Sequence, residues 1–147
     1  MKENKKLFII RKAALRKDVV EDIISQIKNE GYKIIDMFLV EINNEKKFYN
    51  DLYKNFDKFE AAILEDNGNK CLAIVTDAPE GLQPYRLKNK IRKQYASLFP
   101  STWGVQGNII HTSDEGESEE ELSILLDKNK LNFKEVGTYY KIYGHFD

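Results

Sequence analysis

The stretch GNIIHTSDEGESEEEL, residues 107–122, sets a histidine behind a short apolar run and ahead of a hydroxyl pair, an acid and a Glu-rich segment. Histidine is scarce in this chain: there are two in 147 residues, and the other, His145, sits in the terminal tail. A neutral imidazole is a nucleophile near neutral pH. His111 is therefore either a reactive group held at the edge of a sheet or a residue that closes a strand, and this stretch alone leaves both open. Ser118 and Glu121 have the spacing of a capping box, in which the glutamate reaches back to the serine amide. RLKNKIRK, residues 86–93, carries five basic residues on one helical segment. That run reads as a phosphate or nucleic-acid patch, or as the wet face of a helix.

These residues need elements to hold them. Residues 7–10 form a compact β-rich run ahead of Arg11 and Lys12. From Asp18, a candidate cap, Val19, Val20, Ile23, Ile24 and Ile27 make one apolar helical stripe, and Gly31 stands where a left-handed C-terminal residue belongs. Residues 32–42 read as a long strand covered on both faces. Residues 43–56 carry Phe48, Leu52 and Phe56 at four-residue intervals, the pattern of a surface helix. Residues 59–69 read as helix, because Glu60, Ala61, Ala62 and Leu64 are poor strand formers, and a strand follows over 71–76. Pro84 opens a helix with Leu87, Ile91, Tyr95 and Leu98 on its buried stripe, and Pro100 ends it. A small strand over 108–111 and a helix from Ser118 follow, with Leu122, Leu125 and Leu126 inward. The tail from Leu131, with VGTYYKIYG, reads as an additional strand or a packed arm. The order β-α-β-(α)-β-α-β-α predicts an α+β, ferredoxin-like βαββαβ sandwich. Its antiparallel sheet would carry helices mainly on one face, with extra helices and a C-terminal extension. We expect one domain over 1–147, with a core of about 6–127 and the extension over 128–147.

The 147-residue length allows a substantial core, and 41% hydrophobic with 12% aromatic residues argues against wholesale disorder. With 23 basic and 24 acidic residues the net charge is −1, which argues against a dedicated nucleic-acid binder. The one cysteine, Cys71, lies in the apolar run CLAIV and has no internal disulfide partner, which fits a reducing compartment. No apolar run approaches a membrane span and the N-terminus is not a signal peptide, so a cytoplasmic location with no membrane partner is expected.

Asn-Ile-Ile-His-Thr-Ser-Asp over 108–114, with an acidic helix start behind it, resembles the active-site signature of nucleoside diphosphate kinases. That family reads Asn-Ile-Ile-His-Gly-Ser-Asp, with a glutamate on the next helix. Further matches run in order along the chain. Ile-Ile-Arg-Lys over 9–12 is similar to the family's first strand, which ends in a lysine. Glu-Gly-Tyr-Lys-Ile-Ile over 30–35 resembles Lys-Gly-Phe-Lys-Leu-Val, Phe48-Tyr49-Asn-Asp-Leu resembles His-Tyr-x-x-Leu, and CLAIV aligns with the third strand.

The resemblance implies the ferredoxin-like sandwich and transfer of the terminal phosphate of a nucleoside triphosphate to a nucleoside diphosphate through a phosphohistidine. On that pattern His111 is the nucleophile. Lys12 contacts the transferred phosphate and the sugar, Tyr49 supports Lys12, and Asn108 holds the ribose. Glu121 orients His111 with Ser113 nearby, Phe56 stacks on the base, and Arg92, eight residues before Pro100, binds phosphate. Magnesium arrives with the nucleotide. The chain departs from the pattern upstream of the histidine. Only STWGVQG separates Pro100 from Asn108, in place of a longer excursion bearing a phosphate-binding arginine, and no arginine follows Arg92. Leu98 stands where a threonine is expected, Ala13-Ala-Leu replaces Pro-Asp-Gly, and Thr112 replaces a glycine. That excursion also makes subunit contacts in the family, so a homodimer is expected over a hexamer. The expected activity is that of a divergent nucleoside diphosphate kinase. The alternative is a catalytically weak or inactive nucleotide-binding or protein-interaction module on the same fold.

Overall fold

The structure is a computed structural model, and it describes residues 5–42, 45–52, 55–100, 108–113 and 131–135. Strand β1 (Lys5–Arg11) runs into a single 3-10 turn (Lys12–Ala14) and then helix α1 (Lys17–Asn29). Strand β2 (Lys33–Ile42) is followed by α2 (Glu45–Leu52), α3 (Phe56–Asn67) and β3 (Lys70–Asp77). Helix α4 (Pro84–Tyr95) leads to a three-residue strand, β4 (Ile110–Thr112), and β5 (Leu131–Glu135) closes the described chain. The strands hydrogen-bond in the order β4-β1-β3-β2-β5, and every pairing is antiparallel. Strands β1 and β2 flank β3, so the crossover β1-α1-β2 is split by a third strand, as the ferredoxin-like α+β fold requires.

Strand alternation decides what the sheet can carry on each face. Phe8 and Ile10 of β1, Leu72 and Ile74 of β3, and Met37 and Leu39 of β2 point into one cluster with Val20, Ile23 and Ile27 of α1 and Leu87 and Ile91 of α4. Leu7, Ile9 and Arg11 therefore share the opposite face with Cys71, Ala73 and Val75, and these six are buried as well. The apolar stripe read from 19–27 is the buried face of α1, and Gly31 takes φ 106° just beyond its end, where a Cβ would be strained.

Several boundaries differ from the sequence reading. Helix α1 is capped by Arg16, not Asp18. Asp18 lies in the first turn and pairs with the Arg16 guanidinium at 3.0 Å, and that hydrogen bond holds its carboxyl below the usual range. Residues 43–56 are not one helix, because α2 stops at Leu52 and Phe56 begins α3. Gly68 ends α3 with φ 69°, a positive-φ terminus of the helix just before β3. Strand β2 is covered on both faces only in part, since Ile35 is half exposed beside the bulge between Ile34 and Asp36. Leu98 was expected on the buried stripe of α4, but the helix ends at Tyr95 and Leu98 is exposed. The helix expected from Ser118 and the tail segment VGTYYKIYG lie outside the described residues.

Candidate functional site

Asn108 and Ile109 form a turn, and β4 follows from Ile110. Ile109 and Ile110 are fully buried, which pins the strand onto β1. The Arg11 amide donates to the Ile109 carbonyl (2.9 Å), and the Ser113 amide donates to the Leu7 carbonyl (3.1 Å). In return, the Leu7 amide donates to Ser113 Oγ (3.2 Å). The ladder thus runs from Ile109 to Ser113 with His111 at its centre, directly opposite Ile9. Ile110 and Thr112 face the α1–α4 core, so His111, half-buried, is carried on the other face of an edge strand.

The cations divide in a way the sequence reading missed. Arg11 is 2% exposed, pairs across the sheet with Cys71, and lies two residues along from Ile9 on the His111 face. That makes it the diagonal neighbour of His111, a separation of about 7–8 Å that a guanidinium spans. Lys12, expected as the phosphate contact, turns outward in the 3-10 turn and is exposed; a Cβ on Gly68 would stand 3.1 Å from its Cδ. The signal for Arg11 was the alternation of Leu7, Ile9 and Arg11 against Phe8 and Ile10. Burial pushes the Cys71 thiol up to about 11, against the pull of the Arg11 guanidinium, so this neighbour is a neutral thiol.

Arg92 reaches from α4 to the edge of β4. Its Nε and Nη2 both donate to the Ile110 carbonyl, at 3.0 and 2.8 Å. Asn108, 8% exposed, donates from Nδ2 to the Phe99 carbonyl (3.2 Å), while its buried Oδ1 accepts no hydrogen bond among the described residues. Tyr49 is fully buried and its hydroxyl donates to the Gly68 carbonyl (2.7 Å), so Gly68 joins Tyr49 to the stem of Lys12. Phe56 is 5% exposed and lines an open cleft of about 410 Å³ with Lys46, Lys47, Asn50, Asp57 and Glu60. The aromatic with an open face on α3 is Phe59, which is 50% exposed with the Lys58 ammonium 5.4 Å above its ring. Glu121 lies outside the described residues.

Arg11 ends β1 and Lys12 opens the 3-10 turn after it, while Arg92 donates to the Ile110 carbonyl and Asn108 to the Phe99 carbonyl. Among the described residues no three His, Cys, Asp or Glu group to hold a metal ion. Cationic and amide donors of these types suit phosphate oxygens.

The sheet order, the split crossover and the histidine on the edge strand define an α+β protein of the ferredoxin-like class with its candidate site on β4. The family model described as nucleoside diphosphate kinase matches residues 4–131, and the chain belongs to the nucleoside diphosphate kinase family. Two solved structures share its fold. The halophilic nucleoside diphosphate kinase of Halobacterium salinarum, in complex with CDP, is 16% identical with a TM-score of 0.57, the match covering 89% of this chain and 92% of that one. The nucleoside diphosphate kinase of Aquifex aeolicus is 17% identical with a TM-score of 0.61, the match covering 89% of this chain and all of that one. No curated protein sequence matches the chain.

Proposed function

We propose that this protein is a divergent nucleoside diphosphate kinase that carries the γ-phosphate of a nucleoside triphosphate on His111. One observation supports the reading above the others: His111 stands at the centre of an edge strand with Arg11 buried diagonally across the same sheet face. The neutral imidazole attacks the terminal phosphorus in line; an N–P bond forms as the P–O bond to the leaving diphosphate breaks. The acceptor diphosphate reverses the step. Arg11 offsets the charge on the phosphoryl oxygens, and Arg92, Lys12 and Asn108 bind the phosphates and sugar. Ser113 holds β4 to β1 beneath the histidine, and Tyr49 secures Lys12 through Gly68. Phe56 sits beneath the base site, and Glu121 orients the imidazole. Magnesium, when bound with the nucleotide, neutralises phosphate charge; the protein's own groups position the chain for attack. The short 101–107 link supports a homodimer.

Mixing a nucleoside triphosphate with a different diphosphate and following the new triphosphate by chromatography tests the activity. Exchange is expected in the wild-type protein and background only in His111→Ala. A second reading, nucleotide binding without turnover, is favoured by the short link before Asn108, with no arginine after Arg92. It predicts calorimetric binding of the triphosphate with no exchange at all.

A further inference from the structure

We propose that Arg92 is a positioning residue for His111, acting through the backbone of β4 as well as through its charge. This rests on the phosphohistidine reading above. Strand β4 is three residues long and lies at the edge of the sheet, so among the described residues only β1 holds it by a ladder. The amides of Arg11 and Ser113 mark the side that faces β1, through Ile109 and Leu7. Antiparallel alternation then turns the Ile110 carbonyl to the outer edge, away from β1. That carbonyl belongs to the residue immediately before the histidine, and Ile110 itself is fully buried. Among the described residues no strand lies beside that carbonyl, and a buried acceptor needs a donor. Arg92 supplies two, at 3.0 and 2.8 Å, from Nε and Nη2 of one rigid fork.

The same helix seats Ile91 in the core, fully buried, so the base of the Arg92 side chain is fixed. The guanidinium therefore supplies, from one residue, the donors that a neighbouring strand would give. Losing it lets the edge of β4 open, and the imidazole on the opposite face loses its fixed line toward phosphorus. Lysine keeps the charge but cannot reproduce a two-point contact to one carbonyl.

Two measurements on Arg92→Lys and Arg92→Ala decide the matter. In nucleotide-free protein, amide exchange at Arg11 and Ser113 should quicken about tenfold or more in both variants, while amides in β3 keep their protection. In single-turnover phosphorylation of His111, the maximal rate should fall about ten- to a hundredfold in Arg92→Lys, with the half-saturating triphosphate concentration little changed. Unchanged exchange protection in both variants overturns the proposal. So does a rise in the half-saturating concentration with the maximal rate intact, which would make Arg92 a phosphate ligand only. Slower labelling that tracks the folded fraction would make it a fold staple, and also contradicts the proposal. A wild-type protein that takes no phosphate overturns the kinase reading, and the exchange data still decide whether Arg92 orders β4.

Discussion

Along β1 the pleat turns Arg11 inward beside Cys71, and the 3-10 turn that follows swings Lys12 out to solvent. Two adjacent cations thereby acquire different environments, and their substitution should separate them. A charged hydrogen bond is worth about 1.5–3 kcal/mol, so Arg11→Ala should slow His111 phosphorylation about ten- to a hundredfold or more. Lys12→Ala should cost less than Arg11→Ala in the same assay, and Arg11→Lys should recover part of the rate. Equal losses at the two positions would return the principal role to Lys12. The motif around His111 was legible because its residue types are specific in order and spacing. Arg11 was overlooked because two neighbouring bases cannot be ranked without the strand's phase. Once β1 is known to run to Arg11, the alternation ranks them.

At the scale of elements, α1 and α4 are joined by a polar clamp that periodicity does not reveal. The Asp22 carboxylate accepts from the Tyr95 hydroxyl, from Gln26 Nε2 at 2.7 Å and from Gln94 Nε2 at 3.4 Å, and Gln26 also donates to Gln94 Oε1 at 2.9 Å. Tyr95→Phe removes one hydrogen bond to a charged acceptor and should lower stability by about 1–3 kcal/mol in urea unfolding. At the end of α3, Gly68 holds φ 69°, ψ −163°, a region almost reserved for glycine, with the Lys12 stem against its open side. Gly68→Ala should therefore cost about 1–3 kcal/mol and displace Lys12. A melting temperature unchanged by either substitution would contradict these assignments. Helix existence was legible from apolar stripes here, whereas the ends were not. Leu98 continued the spacing of α4 past the point where the chain turns, and Phe56 continued the spacing of α2 although it opens α3.

At the scale of the whole molecule, the sheet order follows from two split crossovers, β1-α1-β2 and β3-α4-β4. That much could be read from the order of elements. The pairing of β5 with β2 could not, since Leu131–Glu135 has no local pattern that selects an edge some ninety residues away, and long-range partner choice is a property of the assembled sheet. The buried faces also set a pH response. Burial pushes Cys71 from 9.0 to about 11, and burial followed by the Glu30 charge pushes Tyr32 from 10.0 to about 12. Both groups keep their protons longer in the folded chain than in the unfolded one. The stability this confers is complete below pH 9.0 and is lost as the pH rises through about 11 and then about 12. Urea midpoints should fall across that window, and Cys71→Ala should flatten the first part of the fall. A slope indifferent to Cys71→Ala would contradict the assignment to the thiol.

Everything functional in this account turns on whether His111 takes phosphate, and labelling reads that directly. Protein incubated with γ-labelled ATP and magnesium should carry label that is lost in acid, survives alkali, and is absent from His111→Ala. Subsequent addition of a nucleoside diphosphate should discharge it. Freshly purified wild-type protein that acquires no label, or label that persists in His111→Ala, would contradict the account.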